Sequence, residues 1–341
     1  MRHNFKIIIL LGLIFLTGSF VRAQSLGVDP VRYITNPDVP GPNQLTTMEV
    51  QGVGTFLGDA TITWQVNGKT VLSGVGQKTF SFTTGDLGVT TRVHVVINSS
   101  IQGTITNDFV FTPTRTALFW EADTSVPPLY RGKALYTAGS SIKVVAFPQV
   151  VLSGGTVTAN NLSFQWKLNG DPVTVASGKG HNTFTFQGSQ LRSGEQVDVD
   201  IYFGSSLVGQ ASVFIPAVNP GVLFYNKDPL RGVLYDQAFP STITLVGKEI
   251  TLLAAPYYFA NESLRGGTAS FAWTLNGDST SGPNSDSGIL TLRQAGNGAG
   301  QADVSVEVQN TDPKKFVQDA QAALRIMFGG QTDTALSAFG L

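Results

Sequence analysis

The sequence contains no cysteine, only three histidines, and only 13% charged residues. Without cysteine there is no disulfide, thiolate zinc site, cysteine nucleophile or acylated lipoprotein anchor. The charged fraction is about half of what soluble proteins usually carry. A formal charge of −1 also leaves out the excess of Lys and Arg that neutralises phosphates, which argues against nucleic-acid binding. Beyond the N-terminus no long apolar run occurs, so no membrane span is expected there. What is present is a near-normal 42% of hydrophobic residues, which speaks against disorder. Glycine (38) and proline (16) are plentiful, and a length of 341 residues suits two or three domains.

Residues 1–23 have the three parts of a secretory signal. Arg2, His3 and Lys6 make a positive start, and Ile7 to Leu16 is apolar apart from Gly12. Val21-Arg22-Ala23 then offers short residues at the −3 and −1 positions of a cleavage site. The apolar run is too short for a spanning helix, which needs about 20 residues. Cleavage after Ala23 would remove Arg2, Lys6 and Arg22 and no acid, moving the formal charge from −1 to −4. An exported chain without cystines suits a bacterial source, so Asn98, Asn161 and Asn261 are read as chance glycosylation sequons.

An internal repeat decides the architecture. Ile62-Thr-Trp64-Gln-Val-Asn67-Gly68, Phe164-Gln-Trp166-Lys-Leu-Asn169-Gly170 and Phe271-Ala-Trp273-Thr-Leu-Asn276-Gly277 share one pattern. The tryptophans are 102 and 107 residues apart, and three units in the 318 residues after position 23 average 106. Further along each unit comes an alternating strand: Val93, Val95, Ile97; Val197, Val199, Ile201; Val304, Val306, Val308. Period two marks a sheet with one buried and one wet face. A strand before it carries Phe80 and Phe82, Phe184 and Phe186, or Leu290 and Leu292. Asn67-Gly68, Asn169-Gly170 and Asn276-Gly277 are read as two-residue hairpin turns, because both central positions of such a turn need positive φ.

About seven short strands per hundred residues, with a central Trp, is the pattern of an immunoglobulin-like sandwich. The Trp-x-x-Asn-Gly hairpin followed by Val-x-Val-x-Val resembles the Ig-like and PKD-like modules of bacterial secreted and cell-surface proteins. The antibody cystine is absent, since Val and Ile occupy the strand where a cysteine would sit. The fold expected is all-β, with three tandem Ig-like β-sandwiches after the signal peptide. Boundaries fall at 24–114, 115–220 and 221–330, with 331–341 a flexible tail lacking a sortase motif. Trp64, Trp166 and Trp273 are expected as core plugs between sheets rather than stacking platforms, since all three recur at one strand position.

Enzymatic chemistry has little support. His94 alternates with valines and so projects from a polar face, and His181 lies in a loop after Gly178-Lys-Gly180. No nucleophile elbow, phosphate loop or zinc-helix motif accompanies them. The glycine-rich run Gln294 to Gly300 sits between strands and reads as a loop. Glu121, Asp123 and Asp228 lie near the unit boundaries, but a calcium ion would want roughly six to eight oxygens. No catalytic residue, metal or cofactor is therefore assigned.

Junction segments echo one another: Leu118-Phe-Trp120 leads to Tyr130-Arg-Gly132, and Leu223-Phe-Tyr225 leads to Leu230-Arg-Gly232. Trp120, Tyr130, Tyr136, Tyr225 and Tyr235 are the candidate contacts to a partner or glycan, with domain-to-domain packing the competing role. The sequence thus reads as a non-enzymatic structural or adhesive protein, exported to the cell surface, the periplasm or the medium. Its partners would be envelope or extracellular proteins, or glycans. A glycan-binding protein is the alternative, and an accessory subunit of a hydrolase is the third reading.

Overall fold

A computed structural model of the chain describes residues 30–52, 56–152, 155–311 and 318–329. The expected signal peptide (1–23) and C-terminal tail (331–341) lie outside the described residues. The chain is all-β and folds into three tandem Ig-like sandwiches, each with its own apolar core.

In the first sandwich, strands β1 (Val31–Asn36), β2 (Leu45–Gly52) and β5 (Thr79–Thr83) form one sheet. Strands β3 (Thr61–Val66), β4 (Lys69–Val75), β6 (Thr91–Ser99) and β7 (Gly103–Phe111) form the other, in the order β4-β3-β6-β7. In the second, β8 (Arg115–Ala122) and β11 (Thr183–Gln187) pair with β9 (Ser141–Leu152). These face a sheet of β10 (Ser163–Leu168), β12 (Gly194–Phe203) and β13 (Ser206–Pro216). The third repeats the plan with β14 (Gly221–Asp228), β15 (Glu249–Tyr257) and β17 (Ile289–Arg293). Its second sheet contains β16 (Ala269–Leu275), β18 (Gly300–Asn310) and β19 (Asp319–Phe328). Among the described residues pairing is antiparallel except for Thr242–Thr244, which adds in parallel to β19.

The repeated motif has one geometry in all three units. Trp64 lies opposite Val95, Trp166 opposite Val199 and Trp273 opposite Val306. Each indole is buried and donates its Nε1–H to a main-chain carbonyl: Gln77 at 2.8 Å, His181 at 2.9 Å and Ser285 at 3.1 Å. The donor is thereby satisfied inside an apolar core. The turn residues Asn67, Asn169 and Asn276 have φ of 49°, 55° and 54°, and the glycines that follow them have 80°, 89° and 91°. Positive φ at both positions is the geometry of a type I′ hairpin.

Candidate functional site

Main-chain pairing joins the second sandwich to the third. The N–H of Ser125 reaches the Phe259 carbonyl at 2.7 Å, and the N–H of Tyr258 reaches the Ser125 carbonyl at 2.7 Å. Thr124 and Ala260 form a β-bridge beside them. Buried Gln318 closes the joint: its Nε2 donates to Thr137 Oγ1 (2.9 Å) and the Ala138 carbonyl (3.0 Å), and its Oε1 accepts from the Ala260 N–H (2.9 Å). Thr137 Oγ1 in turn donates to the Tyr258 carbonyl at 2.7 Å, and Asn261 Nδ2 donates to Asp123 Oδ1 at 2.7 Å. Tyr258 adopts φ of 62°, a region that non-glycine residues seldom occupy unless their surroundings hold them there.

Five tyrosines run outward from this joint. The hydroxyls of Tyr130 and Tyr258 are bonded at 2.8 Å, and those of Tyr225 and Tyr257 at 2.5 Å. Tyr130 meets Tyr257 edge to face at 5.8 Å, and Tyr225 meets Tyr235 at 5.3 Å. Burial pushes the Tyr258 phenol up to about 12, helped by its bond to Tyr130. Burial also raises Tyr257, aided by its bond to Tyr225, and burial raises Tyr235. These three phenols therefore stay protonated and neutral through the physiological range.

The sequence-predicted contacts divide here. Tyr130 is 39% exposed and Tyr235 is half-buried, so both present surface to solvent. Tyr136 requires a correction: at 0% exposure it belongs to the core of the second sandwich and cannot meet a ligand. Its hydroxyl donates to the Ser189 carbonyl at 2.6 Å and lies 3.3 Å from the buried carboxylate of Glu195. Burial and that carboxylate raise its pKa. Tyr225 is also buried, under Tyr235 and Tyr257, and is no contact residue either. Trp120 packs half-buried against the second core with Lys133 Nζ 3.2 Å from its ring centroid. Burial there lowers the Lys133 pKa, against an opposing pull from Glu121.

The echo between Leu118-Phe-Trp120 and Leu223-Phe-Tyr225 does not survive as structural equivalence. Leu118 and Trp120 point into their core and Phe119 points out, whereas Phe224 points in and Leu223 and Tyr225 point out. A one-residue offset exchanges the faces of a strand.

The remaining polar candidates each have a local partner. His94 Nδ1 lies 2.9 Å from Asp108 Oδ1 on the wet face of its sheet, and His181 serves through its carbonyl on Trp166. Glu121 pairs with Lys143 at 3.7 Å. Asp228 accepts the N–H groups of Leu230 and Arg231, which with the Arg231 guanidinium lower its pKa. No group of three or more metal-ligating side chains forms among the described residues. Tyr257, Tyr258, Ser125 and Gln318 escaped the sequence reading, although the adjacent tyrosine pair was a visible signal.

No protein-family model matches the chain, and no curated protein matches it. Among solved structures, it is similar to three N-terminal domains of the Highly Immunogenic Outer Capsid protein of bacteriophage RB49. That match has 12% identity and a TM-score of 0.25, and covers 89% of this chain and 99% of that one. A second is SGBP-B of the Bacteroides ovatus mixed-linkage glucan utilization locus, in complex with a mixed-linkage heptasaccharide. It has 10% identity and a TM-score of 0.24, over 92% of this chain and 77% of that one. A third is from a bacterial ice-binding adhesin of 1.5 MDa, with 13% identity and a TM-score of 0.23 over 83% of this chain and 90% of that one. Similarity at this level carries no argument about ligand or role.

Proposed function

We propose that the protein is a non-enzymatic, exported bacterial module that works by display or adhesion at the cell surface, with units at 24–114, 115–220 and 221–330. The observation that carries this reading is the joint between the second and third sandwiches. Its buried hydrogen bonds and bridging tyrosines make two domains into one stiff element, which holds a binding face away from its point of attachment. Domain contacts within a chain are more often loose. The N-terminal address supports export, and a slightly acidic mature chain with few charges suits a passive outer surface. Glycan binding is the second reading, favoured by aromatic side chains left bare on the second sandwich.

Fractionating cells that express the full chain tests the proposal. The protein is expected in the envelope or medium, with the surface-bound share accessible to protease on intact cells. Retention in the cytoplasm would refute it.

A further inference from the structure

The three sandwiches treat one sheet face differently. In the first, the outer face of β2 and β5 carries Thr47, Glu49, Thr79 and Ser81, as expected of a face in water. In the third, Tyr235 and Tyr257 cover Tyr225 on the outer face of β14 and β15, while Leu223 beside it stays 42% exposed. In the second, the corresponding face of β8 and β9 leaves Phe119 61% and Phe147 53% exposed, with ring centroids 5.3 Å apart. Among the described residues no packing role explains that pair.

Strand register gives the face a second, polar half. Phe119 lies opposite Val145 and Glu121 opposite Lys143, while Thr185 of β11 flanks Lys143. Asp123 and Ser141 continue the row, joined by the Asp123 N–H to Ser141 carbonyl bond of 2.8 Å. A cavity of about 460 Å³ over Phe119, Val145 and Phe147 shares Glu121 and Lys143 with a second of about 350 Å³ over Asp123, Ser141 and Thr185. Together they make one shallow cleft, apolar at one end and rich in donors and acceptors at the other. Their combined size falls within the range of small-molecule sites.

We infer that this cleft binds a short stretch of neutral oligosaccharide, and this inference rests on the glycan-binding reading above. A pyranose offers an apolar C–H face for aromatic rings and hydroxyls that donate to carboxylates and accept from ammonium groups. Charge complementarity selects a neutral ligand. Glu121 and Lys143 stand 3.7 Å apart with opposite signs, so an anionic or cationic chain would meet repulsion from one of them. Both side chains are at least half exposed, so their mutual attraction is weak and ligand hydroxyls can replace it.

Trp120 turns its indole into the core of the second sandwich, away from the cleft, so titration calorimetry rather than tryptophan emission reads occupancy. The test titrates the full chain with neutral cello-, xylo-, manno- and chito-oligosaccharides, using heparin and alginate as anionic comparators. At least one neutral series is expected to bind in the micromolar to millimolar range. Phe119→Ser and Phe147→Ser should each weaken binding about tenfold or more, since a desolvated aromatic anchor is lost. Glu121→Gln, which alters only an exposed side chain, should weaken it several-fold and provides a check independent of the aromatic pair. Glu49→Gln, on the outer face of the first sandwich, should change nothing. The inference is overturned if no neutral series binds at about 5 mM, if anionic chains bind better, or if binding survives both serine variants. In any of these cases a protein still found on the cell surface leaves the adhesive reading standing.

Discussion

The asparagine of each hairpin turn does more than accept positive φ. Its N–H donates to a carbonyl of the neighbouring strand: Asn67 to Arg92, Asn169 to Gln196, Asn276 to Asp303. Its side-chain Oδ1 then accepts the N–H of that same residue, at 2.9, 3.0 and 2.9 Å. Glycine would satisfy the turn but not this clamp. Asn67→Gly is therefore expected to destabilise by about 1 kcal/mol, the usual net worth of one hydrogen bond. Asn169→Gly should cost more, about 2–3 kcal/mol, because Asn169 Nδ2 also donates at 2.6 Å to the buried carboxylate of Glu195. Urea unfolding of the two variants checks the ranking, and equal losses would contradict it. Trp166→Phe should cost about 2 kcal/mol, since the His181 carbonyl loses its donor and the smaller ring leaves a void. Thermal unfolding measures it.

At the scale of strands and sheets, the Trp-x-x-Asn-Gly hairpin and the Val-x-Val-x-Val strand were legible because both follow short-range rules of turn and alternation. The tyrosine row was not. Tyr130 and Tyr258 are separated by 128 positions, and only the folded arrangement of two sandwiches brings their hydroxyls together. Local likeness also misled where Leu118-Phe-Trp120 and Leu223-Phe-Tyr225 take opposite faces, because a strand's inward side is set by what it packs against. The row has a pH signature. Tyr258 titrates higher in the folded protein, at about 12, than the ordinary tyrosine value near 10, so folding favours its protonated form. That contribution is complete below about pH 10 and disappears as pH rises toward 12. Tyr257 and Tyr235 shift in the same direction. Stability is thus expected to fall between pH 10 and 12, with tyrosinate absorbance lagging behind that of the unfolded chain. Tyr258→Phe should flatten the fall. A wild-type stability unchanged to pH 12 would contradict the arrangement.

Across the whole molecule the two junctions differ in kind. At the first, among the described residues, the crossing hydrogen bond runs from Thr114 Oγ1 to the Val208 carbonyl. Around it lies a cavity of about 320 Å³ between Val39, Pro40 and Phe111 on one side and Leu152, Phe203 and Leu207 on the other. Gly88 approaches the second sandwich closely, since a Cβ placed there would come within 2.7 Å of Val151. The second junction has paired backbone, buried Gln318 and bridging tyrosines. Opening it would strand buried donors and acceptors, at roughly 1–3 kcal/mol apiece. Opening the first would release mainly apolar contact around a partly empty seam. Calorimetry of the full chain should therefore show two transitions, one for the first sandwich and one shared by the second and third. Gln318→Ala removes three buried hydrogen bonds, so it should cost about 2 kcal/mol or more and lower the shared transition by roughly 5 °C. The first transition should not move, because additivity holds for distant sites that share no partners. Three separate transitions in the unaltered chain would show that the joint does not couple its neighbours, and the stiff presenting arm would lose its physical basis.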